Sequence, residues 1–362
     1  MTAATPTDAV VPRPGRPAPA GSASPRPATS RRRHRRLLGL AGLVLALGVA
    51  LALSVAIGAR PLGPGEVWTA LVGPTGTEAD VVVRSLRVPR TLLGLLAGTA
   101  LGVAGAVVQG HTRNPLADPG LLGVTAGAAF AVVLSIYAFG VGSATGHLWF
   151  AFAGALLASL LVFGLSSMGG RGGDPLTLAL AGAAVTAFLG ALTSALVLLD
   201  QTTLDGFRFW NVGSTAGRGT DVLVQVAPFV LVGLVAALAS TPSLNALNLG
   251  EDVARALGTN VTAARVAGVL VVTVLTGAAT AACGPIAFVG LVVPHVARAV
   301  TGPDYRWLVP YAGLLGGTML LLADVLGRVV VRPAELQVGI VLALVGGPFF
   351  VALVRRRRLV TL

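Results

Sequence analysis

The chain has 362 residues, is 54% hydrophobic and 11% charged, and has a mean hydropathy of +0.84. Soluble domains carry about 25% charged residues, so a soluble enzyme is excluded, and the long apolar runs describe an all-α polytopic membrane protein. The net charge of +12 comes from Arg alone, because the 26 basic residues include no Lys; a P-loop ATPase needs the Lys of G-x-x-x-x-G-K-[ST], so ATP-driven work requires a separate polypeptide.

Residues 1–36 are rich in Pro, Ala, Ser and Arg and lack periodicity, which predicts a disordered cytoplasmic tail. A secretory signal is the rival reading, but the apolar run 37–59 is long for a signal core and reads as a retained first span. Further runs follow at 91–109, 120–141, 148–168, 176–199, 222–239, 265–282, 286–301, 308–327 and 337–354, giving ten spans over a domain of 37–355. Basic clusters at Arg31–Arg36 and Arg355–Arg358 flank the two ends, the second leading into a short basic tail, 356–362. An even count and the positive-inside rule place both termini in the cytoplasm. The charge therefore belongs to topology and lipid headgroups, not to nucleic acid.

On that topology the loops 110–119, 169–175, 240–264 and 302–307 are cytoplasmic, and 58–90, 142–147, 200–221 and 328–336 are external. The external loops then hold Arg60, Arg84, Arg87, Arg90, Arg208, Arg218, Arg328 and Arg332, against the rule. Two readings stay open. The arginines snorkel or pair locally, for example Arg328 with Asp324 placed one helical turn away, or they form a basic platform for an acidic external partner.

Gly98, Gly102, Ala106 and Gly110 are four apart and line one helix face, a packing signature. Asn114-Pro115 and Asp118-Pro119 set turns between spans. Acidic residues within the spans are nearly absent. Asp324 and His295, in different spans, make a thin proton relay, and a helix-end histidine bonded to a carbonyl is the simpler reading. The lone cysteine, Cys283, precludes a disulfide or a cysteine metal site within one chain.

Several motifs occur in order: LRVPR (86–90), Gln109 with RNPLADPGLLG (113–123), LNALNLGEDVARALGTNV (244–261), GPIAFVGLVVPHVAR (284–298), Ala323-Asp324 with Arg328, and ELQVGIVLALVGGPFF (335–350). In these motifs the chain resembles the permease subunits of ATP-binding-cassette importers for ferric siderophores, haem and vitamin B12. The resemblance covers about 37–355 and implies the type II importer permease fold. It implies two such permeases, identical or paralogous, with two cytoplasmic ATPases that bind ATP-Mg and an external substrate-binding protein. No cofactor, metal or catalytic residue is expected on this chain. A ferric siderophore is the expected cargo, with cobalamin or haem as alternatives and an ion-coupled secondary transporter as a different class.

The resemblance makes 240–264 the segment that couples to the ATPase. Pro242 and Ser243 start a short helix, and Gly250 and Gly258 break the segment into two pieces. Leu247, Leu249, Val253 and Leu257 would form its apolar face, with Glu251 and Arg255 pairing along the helix or with the ATPase. Arg87, Arg90 and Arg328 fall where the family docks carboxylates of the binding protein. The path would be lined by the fifth, eighth and tenth spans, with Thr186, Thr193 and Ser194 as weak polar contacts. Back-bonding of those hydroxyls to their own helix is the competing reading. Gln337 stands where the family usually has Pro.

Overall fold

The computed structural model describes residues 28–168 and 175–355. The expected tails therefore lie outside the described residues, except for 28–36, where the chain is already helical. Helix α1 (Ala28–Ala56) extends the first span backward through the Arg cluster. There Arg35 and Arg36 donate to the Ala299 and Thr301 carbonyls, at 3.1 and 2.5 Å, closing the end of another helix. Nine residues read as disordered tail are thus a helix with a task, because Arg at a helix C-terminus satisfies orphan carbonyls.

A short helix α2 (Pro64–Val72) follows. Next comes one long rod: α3 (Glu78–Val81), a π-helical turn (Val82–Arg87) and α4 (Val88–Thr112). Pro89 has no amide hydrogen to close the ordinary turn, and the ladder widens just before it, with Val88 N bonding Val83 O. A single 3₁₀ turn (Pro119–Leu122), N-capped by Asp118 from Gly120 N at 2.8 Å, leads into α5 (Val124–Phe139). Then come α6 (Ala144–Ser167), α7 (Pro175–Leu199), α8 (Gln201–Asn211) and α9 (Thr220–Ala239). Two short helices, α10 (Thr241–Asn248) and α11 (Glu251–Ala256), precede α12 (Val261–Cys283). The chain closes with α13 (Val289–Thr301), α14 (Tyr305–Val330) and α15 (Val338–Arg355).

Among the described residues seven helices are long and apolar enough to cross a membrane, and three shorter apolar ones (Val124–Phe139, Val289–Thr301, Val338–Leu353) bring the apolar segments to ten. The segments match the ten expected runs, but 120–141 and 286–301 are helical over only part of their length. Asp118-Pro119 consumes a 3₁₀ turn in the first. In the second, Gly284 and Phe288 both adopt positive φ, 74° and 69°, and leave 284–288 non-helical.

The centre of the bundle is α4, packed on α12, α13 and α14. Its glycines allow this. A Cβ on Gly98 would strike the Gly316 carbonyl, one on Gly102 the Ala312 carbonyl, and one on Gly105 the Gly290 carbonyl. The small-residue face is therefore a seam where backbones touch. By contrast, α1, α6, α7 and α9 expose much of their apolar surface, including Leu45, Leu157, Leu198 and Val235.

Candidate functional site

Two regions concentrate the polar chemistry, one at each end of the bundle. At the end that carries α8 and the α1 C-terminus, Asp324 on α14 is 2% exposed. Arg90 grips it with Nε at 3.2 and 3.1 Å and Nη2 at 2.8 Å, and turns Nη1 to Glu335 at 2.6 Å. Arg328, one turn along α14, bonds the same carboxylate and donates to the Ser54 and Ile57 carbonyls at 2.7 and 2.8 Å. Thr215 completes the set, donating to Asp324 Oδ1 at 2.8 Å. Arg87 sits nearby and donates to the carbonyls of Val55, Ala56 and Arg60.

Arg87 and Arg328 are thus buried caps on the end of α1, and Arg90 joins α4 to α14 and the loop before α15. In this structure all three donate to partners within the chain, Arg328 to Asp324 as in the local-pairing reading. The reason is desolvation. A buried guanidinium needs acceptors for its donors, and the terminal carbonyls of α1 with the carboxylates of Asp324 and Glu335 supply them. The arginines that remain exposed at this end are Arg60, Arg84, Arg208 and Arg332. Arg60 pairs with Glu78 at 2.7 Å, and Arg208 with Asp205 at 3.2 Å.

The same cluster removes the proton relay. Asp324 already serves two arginines and a threonine. His295 lacks the carbonyl partner expected of it: its Nδ1 is buried without a hydrogen bond among the described residues.

At the opposite end, α10 and α11 break at Gly250 and Gly258, with φ of 109° and 81°, a region that favours glycine. Leu247 is buried with Ala254 and Val261, and this small core folds α11 back on the start of α12. Leu249, Val253 and Leu257 are instead exposed, at 64%, 45% and 64%. Of the four residues expected on an apolar face, three present one and Leu247 anchors it. Glu251 is held from three sides: Arg113 at 3.2 Å, Arg255 at 3.2 Å, and Arg265. Glu251 and Arg255 therefore pair along the helix. Asn245 donates to Asp304 Oδ1 at 3.0 Å and accepts from Tyr305 N at 2.9 Å, tying α10 to the start of α14. The loop is fastened to α4, α12 and α14 at once.

The FecCD transport family model matches residues 45–356. The chain belongs to the FecCD transport family. It is 48% identical over 322 residues to the ferric enterobactin transport system permease protein FepD of Escherichia coli, covering 89% of this chain and 96% of that protein. It is 39% identical to the hemin transport system permease protein HmuU of Yersinia pestis, covering 88% and 95%. A solved structure described as an inward-facing conformation of a metal-chelate type ABC transporter superposes with a TM-score of 0.77 at 31% identity, covering 88% of this chain and 98% of that one. The chain is accordingly a multi-pass ABC permease, a transport component without catalysis of its own.

The three polar residues expected along the path from the resemblance lie on α7. Thr186 and Ser194 are exposed on it. Thr193 is buried and donates to Leu189 O at 2.7 Å, so the back-bonding reading applies to it. Sequence reasoning missed α8, taken as part of a loop. Its signal was present: Asp200 N-caps it from Thr203 N at 2.7 Å, and Leu204, Phe207 and Trp210 recur every three residues.

Proposed function

We propose that the chain is one of two permeases in an importer that carries a ferric siderophore inward, driven by two separate ATPases that bind ATP-Mg. The α10–α11 end faces the cytoplasm, as do both termini, and the α8 end faces the external substrate-binding protein. The observation that carries this reading is the exposed apolar set of Leu249, Val253 and Leu257 on a loop tied to three helices of the bundle. A groove on an ATPase closing over that set would move α4, α12 and α14 as one body. Small, weakly polar surface along α7 suits a large solute that must not be trapped.

The cargo follows the similarity to the enterobactin permease. Haem is the second reading, favoured by the 39% identity to the hemin permease. An ion-coupled transporter is disfavoured, because the buried carboxylate Asp324 is committed to Arg90 and Arg328. The test is uptake of radiolabelled iron, supplied as a panel of ferric siderophores, in cells with and without the gene. Gene-dependent uptake of one chelate that stops when ATP is depleted supports the reading. Uptake of haem alone moves the cargo to the second reading. Uptake that follows an ion gradient and persists without ATP overturns it.

A further inference from the structure

At the α8 end a cleft of 490 Å³ opens between α8, the loop to α9, the start of α6 and the loop before α15. Its lining includes Arg218, Trp210, Phe209, Gln337, His147 and the Arg90–Glu335 pair. Three of these side chains hold buried polar atoms without a hydrogen bond among the described residues: Trp210 Nε1, Arg218 Nε and Gln337 Oε1. Trp210 is 5% exposed and stacks on Phe207 with ring centroids 6.2 Å apart, so its indole is fixed in place. Buried polar atoms are nearly always paired, and three orphans lining one cleft, two donors and one amide oxygen, mark a place where a ligand makes the missing bonds.

The charges say which ligand. Arg90 and Arg328 are offset by Asp324 and Glu335. Arg218 has no carboxylate within ion-pair distance among the described residues and is the cation left over. His147 already bonds Ser135 through Nδ1 at 3.1 Å. Phe209 and Trp210 give the cleft an aromatic wall. A guanidinium fork suits a planar carboxylate, the indole N–H adds a third donor, and the Gln337 amide adds a fourth when turned to present its nitrogen.

We propose that this cleft is a binding site for a small planar carboxylate, held by Arg218, Trp210 and Gln337. The site concerns binding alone and stands whatever cargo the permease moves.

The test uses the full chain in lipid nanodiscs with 4-fluorobenzoate as probe, observed by fluorine NMR at fixed ionic strength. The expected result is saturable binding that unlabelled benzoate displaces and that neutral 4-fluorobenzamide does not reproduce. Arg218→Gln weakens it at least tenfold, and Trp210→Phe and Gln337→Leu each severalfold. Arg208→Gln, an exposed cation on the same helix as Trp210, leaves it unchanged. If Arg218→Gln fails to fold, the Trp210 and Gln337 variants carry the test. No saturable binding to the wild type, equal binding of the amide, or equal loss in Arg208→Gln overturns the site.

Discussion

Arg90 of α4 and Asp324 of α14 stand 234 positions apart and meet through three hydrogen bonds of 2.8–3.2 Å, with Arg328 on the other side of the same carboxylate. This joins two helices of the central seam at the end where α1 also terminates. Removing the shared acid leaves two guanidinium groups facing each other with Glu335, on the Arg90 side, as the remaining counter-charge. Asp324→Asn is expected to destabilise the chain by about 3–5 kcal/mol, the usual cost of breaking a buried pair from one side. Glu78→Gln, which breaks the exposed Arg60–Glu78 pair, costs under about 1 kcal/mol. Thermal melts of the two variants in detergent check the contrast.

Charge reversal separates capping from docking. Arg328→Glu sets a second carboxylate beside Asp324 and strips the donors from Ser54 and Ile57. The expected outcome is loss of folded protein in the absence of any partner. Arg84→Glu, at an exposed residue bonded among the described residues to the Leu71 carbonyl at 3.4 Å, leaves the fold intact. Folded yield on size-exclusion chromatography decides it: an Arg328→Glu chain that elutes and melts like wild type would mean the buried bonds do not hold α1.

These arginines show where the sequence was legible and where it was not. Apolar run length located the ten segments, because a bilayer demands it. Glycine placed the breaks at Gly250 and Gly258, because positive φ demands it. Sequence also set Arg87, Arg90 and Arg328 at one end of the bundle, but it could not say what they touch. Apart from Asp324 for Arg328, their acceptors lie 27 to 274 residues away, and no local pattern encodes such a contact. Arg328 with Asp324, four apart, was the one legible pair. Gly105 against Gly290 is similar: periodicity showed a small-residue face on α4, while the helix it meets depends on the tertiary fold.

Glycine substitutions have opposite signs inside that seam and away from it. Gly98→Ala pushes a methyl into the Gly316 carbonyl and within 2.9 Å of Gly317 Cα, all backbone, and is expected to cost about 1–3 kcal/mol. Gly190→Ala, on the exposed face of α7 with nothing within 4 Å of the new Cβ, gains about 0.5–1 kcal/mol through helix propensity. Melting the isolated chain in detergent reads both.

Asp200 gives α8 a pH dependence. Hydrogen bonds from the Thr203 hydroxyl and amide hold its carboxyl below the usual carboxylate range. A depressed folded pKa means the cap stabilises α8 above the unfolded value and fades as pH falls through the folded one. Amide protection over 201–211 is therefore expected to hold at neutral pH and to drop below about pH 4. Asp200→Asn keeps an oxygen at the cap and should flatten the profile in hydrogen-exchange measurements. A wild-type profile already flat to pH 3 would remove Asp200 as the cause.

The apolar set on α10–α11 offers the sharpest separation of stability from function. Leu249, Val253 and Leu257 touch little within the chain, whereas Leu247 is buried with Ala254 and Val261. Replacing the three exposed residues with Ser is expected to leave the melting temperature within a few degrees of wild type, since surface changes are usually within about 0.5 kcal/mol. If the set seats in an ATPase groove, the same variant loses at least tenfold in substrate-stimulated ATP hydrolysis in the assembled transporter, because buried apolar anchors dominate interface energy. Leu247→Ser should do the reverse in order of cause: it melts the loop first and loses coupling as a consequence. Gly258→Ala lies between them, adding about 1–2 kcal/mol of backbone strain at φ 81° without touching the apolar set. Equal hydrolysis and transport in the triple-Ser variant would place the ATPase contact elsewhere on this end of the bundle.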